Sequence, residues 1–123
     1  MSKEVKNTEE RVNPIRITDN TTGKVYELDF NRDAVRFAEM REFELEHIKR
    51  YPNTKIPEFF FYAFRKNHKS LAKSQTDELL EKIGGVTPEI LERLILLYNQ
   101  AALTHVIAND EDNVKNENMT VEL

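Results

Sequence analysis

The sequence predicts an α+β domain that is mainly helical, in which an N-terminal β-hairpin precedes about four helices. Two observations support this class: apolar and polar residues alternate in two short runs near the N-terminus, and apolar residues then recur with helical spacing. At 123 residues the chain has the length of one domain. We therefore predict a flexible arm at residues 1–13, one globular domain at 14–108 and a disordered acidic tail at 109–123.

Negative charge is concentrated in the predicted tail. The formal net charge is -4, and residues 109–123 carry five carboxylates and one lysine, which already gives -4. The remaining residues sum to zero, so they offer little long-range attraction to nucleic acid or to an anionic membrane. The chain has no cysteine and no apolar run long enough to span a bilayer, and we expect a soluble, intracellular protein.

The hairpin is predicted from residues 15–18 (IRIT) and 24–30 (KVYELDF). Both runs alternate, and the DNTTG segment between them is rich in residues that favour turns. In the second run Tyr26, Leu28 and Phe30 share one face. We expect this face to lie on helices, because an isolated hairpin is only marginally stable in water.

Residues 31–52 are predicted to form one amphipathic helix. Asn31 is a good N-cap, Asp33 lies in the first turn where the helix dipole favours an acidic side chain, and Pro52 ends the helix. Helical spacing places five apolar residues on one stripe: Ala34, Phe37, Ala38, Leu45 and Ile48.

A second helix is predicted over about residues 54–68, although a strand is the alternative for its aromatic run, IPEFFFYAF. A third helix has Ser74 and Asp77 in an arrangement that resembles a capping box. It is expected to stop at the glycine pair of residues 84–85.

The last helix is predicted to start with Thr87 as N-cap and Pro88 at the first helical position, and to continue to about residue 108. Its main apolar stripe is expected to face the core. This stripe contains Ile90, Leu91, Leu94, Ile95, Leu97, Tyr98, Ala101 and Ala102.

The second and last helices carry more apolar residues than one buried stripe can hold. Either each helix is enclosed by its own domain, or part of its surface meets a partner, which can be a second copy of the chain or another protein. We take the second alternative as the hypothesis. The candidate partner-binding residues are Phe60, Phe61, Phe64, Leu96, Leu103 and Ile107.

The sequence contains no set of residues typical of a catalytic, cofactor or metal site, and we predict a protein that is not an enzyme. Glu44 and His47 have the spacing of a helical metal-binding pair, but such sites use two pairs and further glutamates, and this chain has one. A solvated polar helix face is the favoured interpretation.

A basic stretch, residues 65–73, follows the aromatic run. Its cations are Arg65, Lys66, Lys69 and Lys73, and together with the aromatic residues they would suit a small nucleic-acid-binding accessory protein. However, cations also favour the C-terminal end of a helix for electrostatic reasons. Nucleic-acid binding is therefore the alternative function and not the first.

Four segments of the chain resemble the small tail assembly chaperones of long-tailed bacteriophages and prophages. They are VYELDFNRDAVRFAE, IPEFFFYAFRKNH, TDELLEKIGG and LERLILLYNQAALTHVIANDED. The resemblance covers about residues 15–112 and depends on the order and character of the segments, without a catalytic signature.

This resemblance implies a non-enzymatic protein of virion morphogenesis in the cytoplasm of the bacterial host. Such chaperones bind the long helical tape measure protein, keep it soluble, help to recruit tail tube subunits around it, and leave before the virion is mature. In many such phages a translational frameshift makes a longer product whose extension contacts the tail tube protein. No cofactor is implied.

Overall fold

The computed structural model describes residues 11–103. It contains two strands and five helices within that range: β1 (Ile15–Asp19), β2 (Lys24–Leu28), α1 (Arg32–Glu39), α2 (His47–Arg50), α3 (Pro52–Tyr62), α4 (Lys73–Lys82) and α5 (Pro88–Ala102). The predicted class, a mainly helical α+β domain that begins with a hairpin, is confirmed. The predicted tail, Ile107 and most of the predicted arm lie outside the described residues.

The hairpin is antiparallel, with Ile17 opposite Tyr26 and Asp19 opposite Lys24. Its tight connection is stabilised by the Asp19 carboxylate, which accepts hydrogen bonds from the backbone N–H and the hydroxyl of Thr21. These two bonds hold the pKa of Asp19 down at about 2. Tyr26 and Leu28 are buried on the inner face of the sheet, as the alternation predicted.

The predicted single helix over residues 31–52 is wrong, because the chain breaks it into α1 and α2. Asn31 does cap α1, accepting from the Ala34 N–H at 2.8 Å. After α1, Glu42 adopts a left-handed backbone with φ of 62°, and the Phe43 N–H bonds back to the Ala38 carbonyl at 3.1 Å. This turn places Phe43 in the core, 3% exposed, and the burial of that ring offsets a conformation that a glutamate rarely adopts.

Helix α3 confirms the helical interpretation of the aromatic run and lies at the centre of the domain. Phe59 stacks between the rings of Phe30 and Phe43, at centroid distances of 5.4 and 5.2 Å. Just after the end of the helix, Phe64 meets Tyr26 edge-on at 5.9 Å. The hairpin and the neighbouring helices therefore cover this helix on several sides, which accounts for aromatic residues that point in many directions.

The predicted Ser74 cap of the third helix is also wrong. The N-cap position is occupied by Ala72, two residues before Ser74, and α4 begins at Lys73. The Gln75 side chain accepts from the Ala72 N–H at 2.8 Å, and so supplies the cap from inside the helix. The predicted stop is confirmed: Gly84 and Gly85 have φ of 81° and 96°, which favours glycine.

Helix α5 starts as predicted, with the Thr87 hydroxyl accepting from the Ile90 N–H at 3.1 Å. Its predicted core stripe is confirmed, since each of the eight residues is buried or half-buried. The residues before β1 run along this helix. The Gln100 side chain accepts from the Val12 N–H at 2.8 Å, and Arg93 donates to the Asn13 carbonyl at 3.2 Å, so packing begins slightly before the predicted start of the domain at residue 14.

Candidate partner-binding surface

The structure divides the predicted partner-binding residues into two groups. Phe60 and Phe64 are 0% and 1% exposed, and Phe61 is half-buried against the ring of Phe37 at 6.1 Å. Phe60 and Phe64 therefore belong to the core, and placing them on a contact surface was an error. The sequence pattern could not reveal this, because it does not show how many sides of a helix its own domain covers.

Leu96 and Leu103 are exposed, at 47% and 60%. They lie seven residues apart, Leu96 within α5 and Leu103 at its C-cap, and this spacing places both on the same side of the helix. An exposed leucine by itself is ordinary on a protein surface. Two on one helix face, beside a groove with apolar walls, form a candidate contact surface.

The groove lies between the start of β1 and the first half of α5, and has a volume of about 550 Å³. We call it the β1–α5 groove. Ile15 from the strand and Ile90 and Leu96 from the helix are its apolar lining residues. Arg16, Arg93, Glu89 and Glu92 supply charges of both signs at its margin.

Sequence reasoning identified Leu96 but missed the contributions of Ile15 and Ile90 to the same surface. Each had been assigned to a separate element, and only the packing of β1 beside α5 brings them together. Together they give an elongated surface of apolar side chains with a charged rim, which suits a helical polypeptide segment.

The cations of the basic stretch are paired with carboxylates of the domain itself. Arg65 lies 3.1 Å and Lys69 3.8 Å from the Asp33 carboxylate, and Lys66 lies 2.7 Å from Asp29. A further pair joins Lys73 to Asp77 at 3.0 Å within α4. These contacts tie the segment after α3 to the start of α1, and reduce the positive potential that a phosphate backbone would meet.

Glu44 and His47 lie 3.7 Å apart, beside the turn that follows α1. Within residues 11–103, no three histidine, aspartate or glutamate side chains come together as metal ligands. The side chains of Glu44 and His47 are both exposed to solvent, so these two residues form part of a polar surface.

His68 connects the segment after α3 to the hairpin. Its Nε2 accepts a hydrogen bond from the Glu27 N–H at 3.0 Å, and its ring packs edge-on against Tyr26 at 5.4 Å. Burial lowers the pKa of His68, and the charge of Lys24 lowers it further. A nitrogen that accepts a hydrogen bond carries no proton, so the geometry and the pKa both favour the neutral imidazole.

This geometry predicts an acid-sensitive contribution to stability. The unfolded chain holds His68 at its ordinary pKa of 6.5, and the folded pKa is lower, so below 6.5 the unfolded state binds more protons. The contribution is fully present above that pH and is lost as the pH falls toward the folded pKa. Between about pH 7.5 and 5 the wild type should lose more free energy of unfolding than His68→Gln.

Urea unfolding followed by circular dichroism at the two pH values measures the difference. His47→Gln is the matched control, because the half-buried His47 ring accepts no hydrogen bond from a backbone N–H within residues 11–103, and this variant should keep the wild-type pH dependence. An equal loss in the wild type and in His68→Gln would contradict the role of His68.

The described residues thus form a small α+β domain with a groove of apolar and charged residues beside its last helix. The chain belongs to the family described as DUF5055, a domain of unknown function, and the match spans residues 1–123. No curated protein and no solved structure matches the chain. None of the helices within residues 11–103 is long and apolar enough to cross a membrane.

Proposed function

We propose that this protein is a phage tail assembly chaperone. In this role it binds the tape measure protein, keeps it soluble and helps to recruit tail tube subunits, without catalysis, in the cytoplasm of the bacterial host. The observation that carries the proposal is the pair of exposed leucines on one side of α5, Leu96 and Leu103, of which Leu96 also lines the β1–α5 groove.

The chemistry of this face suits the proposed client. A tape measure protein presents long amphipathic helices that associate with one another when they are free. A helix binds a groove through apolar residues repeated about every seven positions, which is the spacing of Leu96 and Leu103. The charges of Arg93 and Glu92 at the rim permit contacts with the polar flanks of such a helix.

The resemblance of the sequence to tail assembly chaperones supports the same function, since that family acts by binding and not by chemistry. The nucleic-acid alternative has less support, because every cation that it would use has a carboxylate partner in the fold.

The test is co-expression with the tape measure protein that the proposal predicts to be encoded beside this one, followed by size-exclusion chromatography with light scattering. The wild type should keep that protein in the soluble fraction and co-elute with it. Leu96→Ser combined with Leu103→Ser should abolish co-elution while the variant keeps its wild-type melting curve, because both side chains are already exposed.

Val25→Ser combined with Met40→Ser is the matched control. These residues are 44% and 76% exposed, belong to β2 and to the end of α1, and do not line the β1–α5 groove, so this variant should still bind. If the wild type leaves the large protein insoluble, the chaperone function is wrong. If both double variants bind, the α5 face is not the contact surface.

A further inference from the structure

A second cleft, separate from the β1–α5 groove, opens between α5 and the turn that follows α1. It has a volume of about 700 Å³. We call it the acidic cleft, because four of its lining residues are glutamates: Glu39, Glu42, Glu44 and Glu46.

These carboxylates have few partners in the domain. Within residues 11–103, Glu44 has an ion pair with His47, and Glu39, Glu42 and Glu46 have none. The four negative charges therefore add to one another around a concave surface, and such a surface attracts cations. The arrangement contrasts with the basic stretch, in which each cation is paired.

The floor of the cleft is apolar. Phe43 and Leu45 belong to the turn itself, and Tyr98 reaches the cleft from α5. The left-handed turn at Glu42 produces this composition, because it sends Phe43 inward while the neighbouring glutamates stay exposed. A small hydrated cation would gain nothing from such a floor, whereas a side chain with an apolar stem would.

The Tyr98 hydroxyl gives an independent indication of a ligand. Tyr98 is 7% exposed and its ring packs edge-on against Phe30, Phe43 and Phe59, but among the described residues its hydroxyl has no hydrogen-bond partner. The hydroxyl is not sealed in the core, because no enclosed side-chain atom lacks a partner, and the residue lines the cleft. The hydroxyl is therefore accessible from the cleft, and this donor is available to an acceptor that enters it.

The hydroxyl also stays protonated. Burial, followed by the charge of Glu39, raises the pKa of Tyr98 to about 12. It can therefore donate a hydrogen bond at neutral pH, for which the carbonyl oxygen of a peptide backbone is a suitable acceptor.

We propose that the acidic cleft binds a lysine- or arginine-bearing segment of a partner polypeptide. The cation lies among the four glutamates, the apolar stem or a neighbouring apolar side chain covers Phe43 and Leu45, and a backbone carbonyl accepts from Tyr98. A metal ion fits less well, because residues 11–103 form no cluster of three metal ligands and a metal has no acceptor to offer the hydroxyl. This proposal does not depend on the tail assembly function.

The test uses a short amidated peptide of lysine and leucine with helical spacing, titrated into the whole protein by isothermal calorimetry at low salt. A peptide of the same pattern with glutamate in place of lysine controls for apolar binding. The lysine peptide should bind and the glutamate peptide should not.

Two variants locate the binding. Glu39→Gln, Glu42→Gln, Glu44→Gln and Glu46→Gln together should weaken binding at least about 10-fold, because they remove the local negative charge. Glu78→Gln combined with Glu81→Gln removes negative charge from exposed positions on α4 that line neither the groove nor the cleft, and should weaken binding less than about 3-fold.

Tyr98→Phe keeps the ring and removes the hydroxyl, so it should fold normally and weaken binding by about 3-fold or more. The proposal is wrong if the lysine peptide does not bind, or if the two glutamine variants weaken binding equally. It is also wrong if light scattering shows that the wild type is a dimer and that the variant with the four cleft glutamates replaced is a monomer, because the cleft would then hold a second copy of the chain. Because the probe is synthetic, each result stands whether or not the tape measure experiment succeeds.

Discussion

Replacing Phe59 with alanine is expected to lower the free energy of unfolding by about 3 to 5 kcal/mol, which is the usual cost of removing a buried aromatic ring. Phe59 is 0% exposed, stacks on Phe30 and Phe43, and meets Tyr98 edge-on at 5.7 Å. The ring therefore joins the hairpin, the turn after α1 and the last helix, and alanine would leave a cavity at the point where they meet.

Urea unfolding followed by circular dichroism measures this loss. Phe59→Leu keeps much of the volume and should cost about 1.5 kcal/mol or less. Met40→Ala alters a residue that is 76% exposed and should stay within about 0.5 kcal/mol of the wild type. A loss below about 1 kcal/mol for Phe59→Ala would contradict the central position of α3.

Replacing Lys66 with methionine is expected to cost about 2 kcal/mol, because it leaves the carboxylate of Asp29 buried without its cation. Asp29 is 7% exposed. Its Oδ2 accepts from Lys66 Nζ at 2.7 Å, and its Oδ1 accepts from the Phe30 N–H at 2.8 Å. The Lys66 side chain is 36% exposed, so solvent screens part of the interaction, and we expect less than the full cost of breaking a buried pair.

Lys73→Met is the matched control, because Lys73 pairs with Asp77 at 3.0 Å through side chains that are 43% and 46% exposed. The free energy of unfolding of Lys73→Met should be about 0.5 kcal/mol or less below that of the wild type. A double-mutant cycle of Lys66→Met with Asp29→Asn should give a coupling energy of about 1 to 3 kcal/mol. If Lys66→Met and Lys73→Met lowered the free energy of unfolding equally, the ion pair with the buried Asp29 would stabilise the fold no more than an exposed pair does.

These ion pairs give the basic stretch a structural role. In the sequence Arg65, Lys66, Lys69 and Lys73 form a cluster of positive charge, which is typical of nucleic-acid binding. In the fold their partners come from Asp29, Asp33 and Asp77, and the first two of these lie more than thirty residues away in the sequence. Net charge by segment could not indicate this neutralisation, because it depends on contacts between distant parts of the chain.

The two surfaces proposed to contact partners differ in their chemistry. The β1–α5 groove is lined by apolar residues and by charges of both signs, whereas the acidic cleft is lined by buried apolar residues and by four glutamates beside His47. A single client could meet both only by presenting an apolar stripe and a separate basic segment. The serine variants of α5 and the glutamine variants of the cleft distinguish one-site from two-site binding.

The sequence by itself determined the local elements of this protein. The alternation in the hairpin, the Asn31 and Thr87 caps and the glycine stop at residues 84–85 act over a few residues, and all are present in the structure. Such signals work because turns, caps and side-chain periodicity depend on near neighbours in the chain.

Only the tertiary structure decided where helical periodicity is interrupted and which apolar residues reach the surface. The stripe from Ala34 to Ile48 predicts a continuous helix, but burial of Phe43 among Phe59, Tyr62 and Tyr98 favours a left-handed turn at Glu42. In the same way Phe60 and Phe64 are core, because neighbouring elements cover α3 and the turn after it, whereas Leu96 and Leu103 are exposed on a side of α5 that the described residues leave open. Burial is a property of the whole packed chain, so a pattern read along one helix cannot fix it.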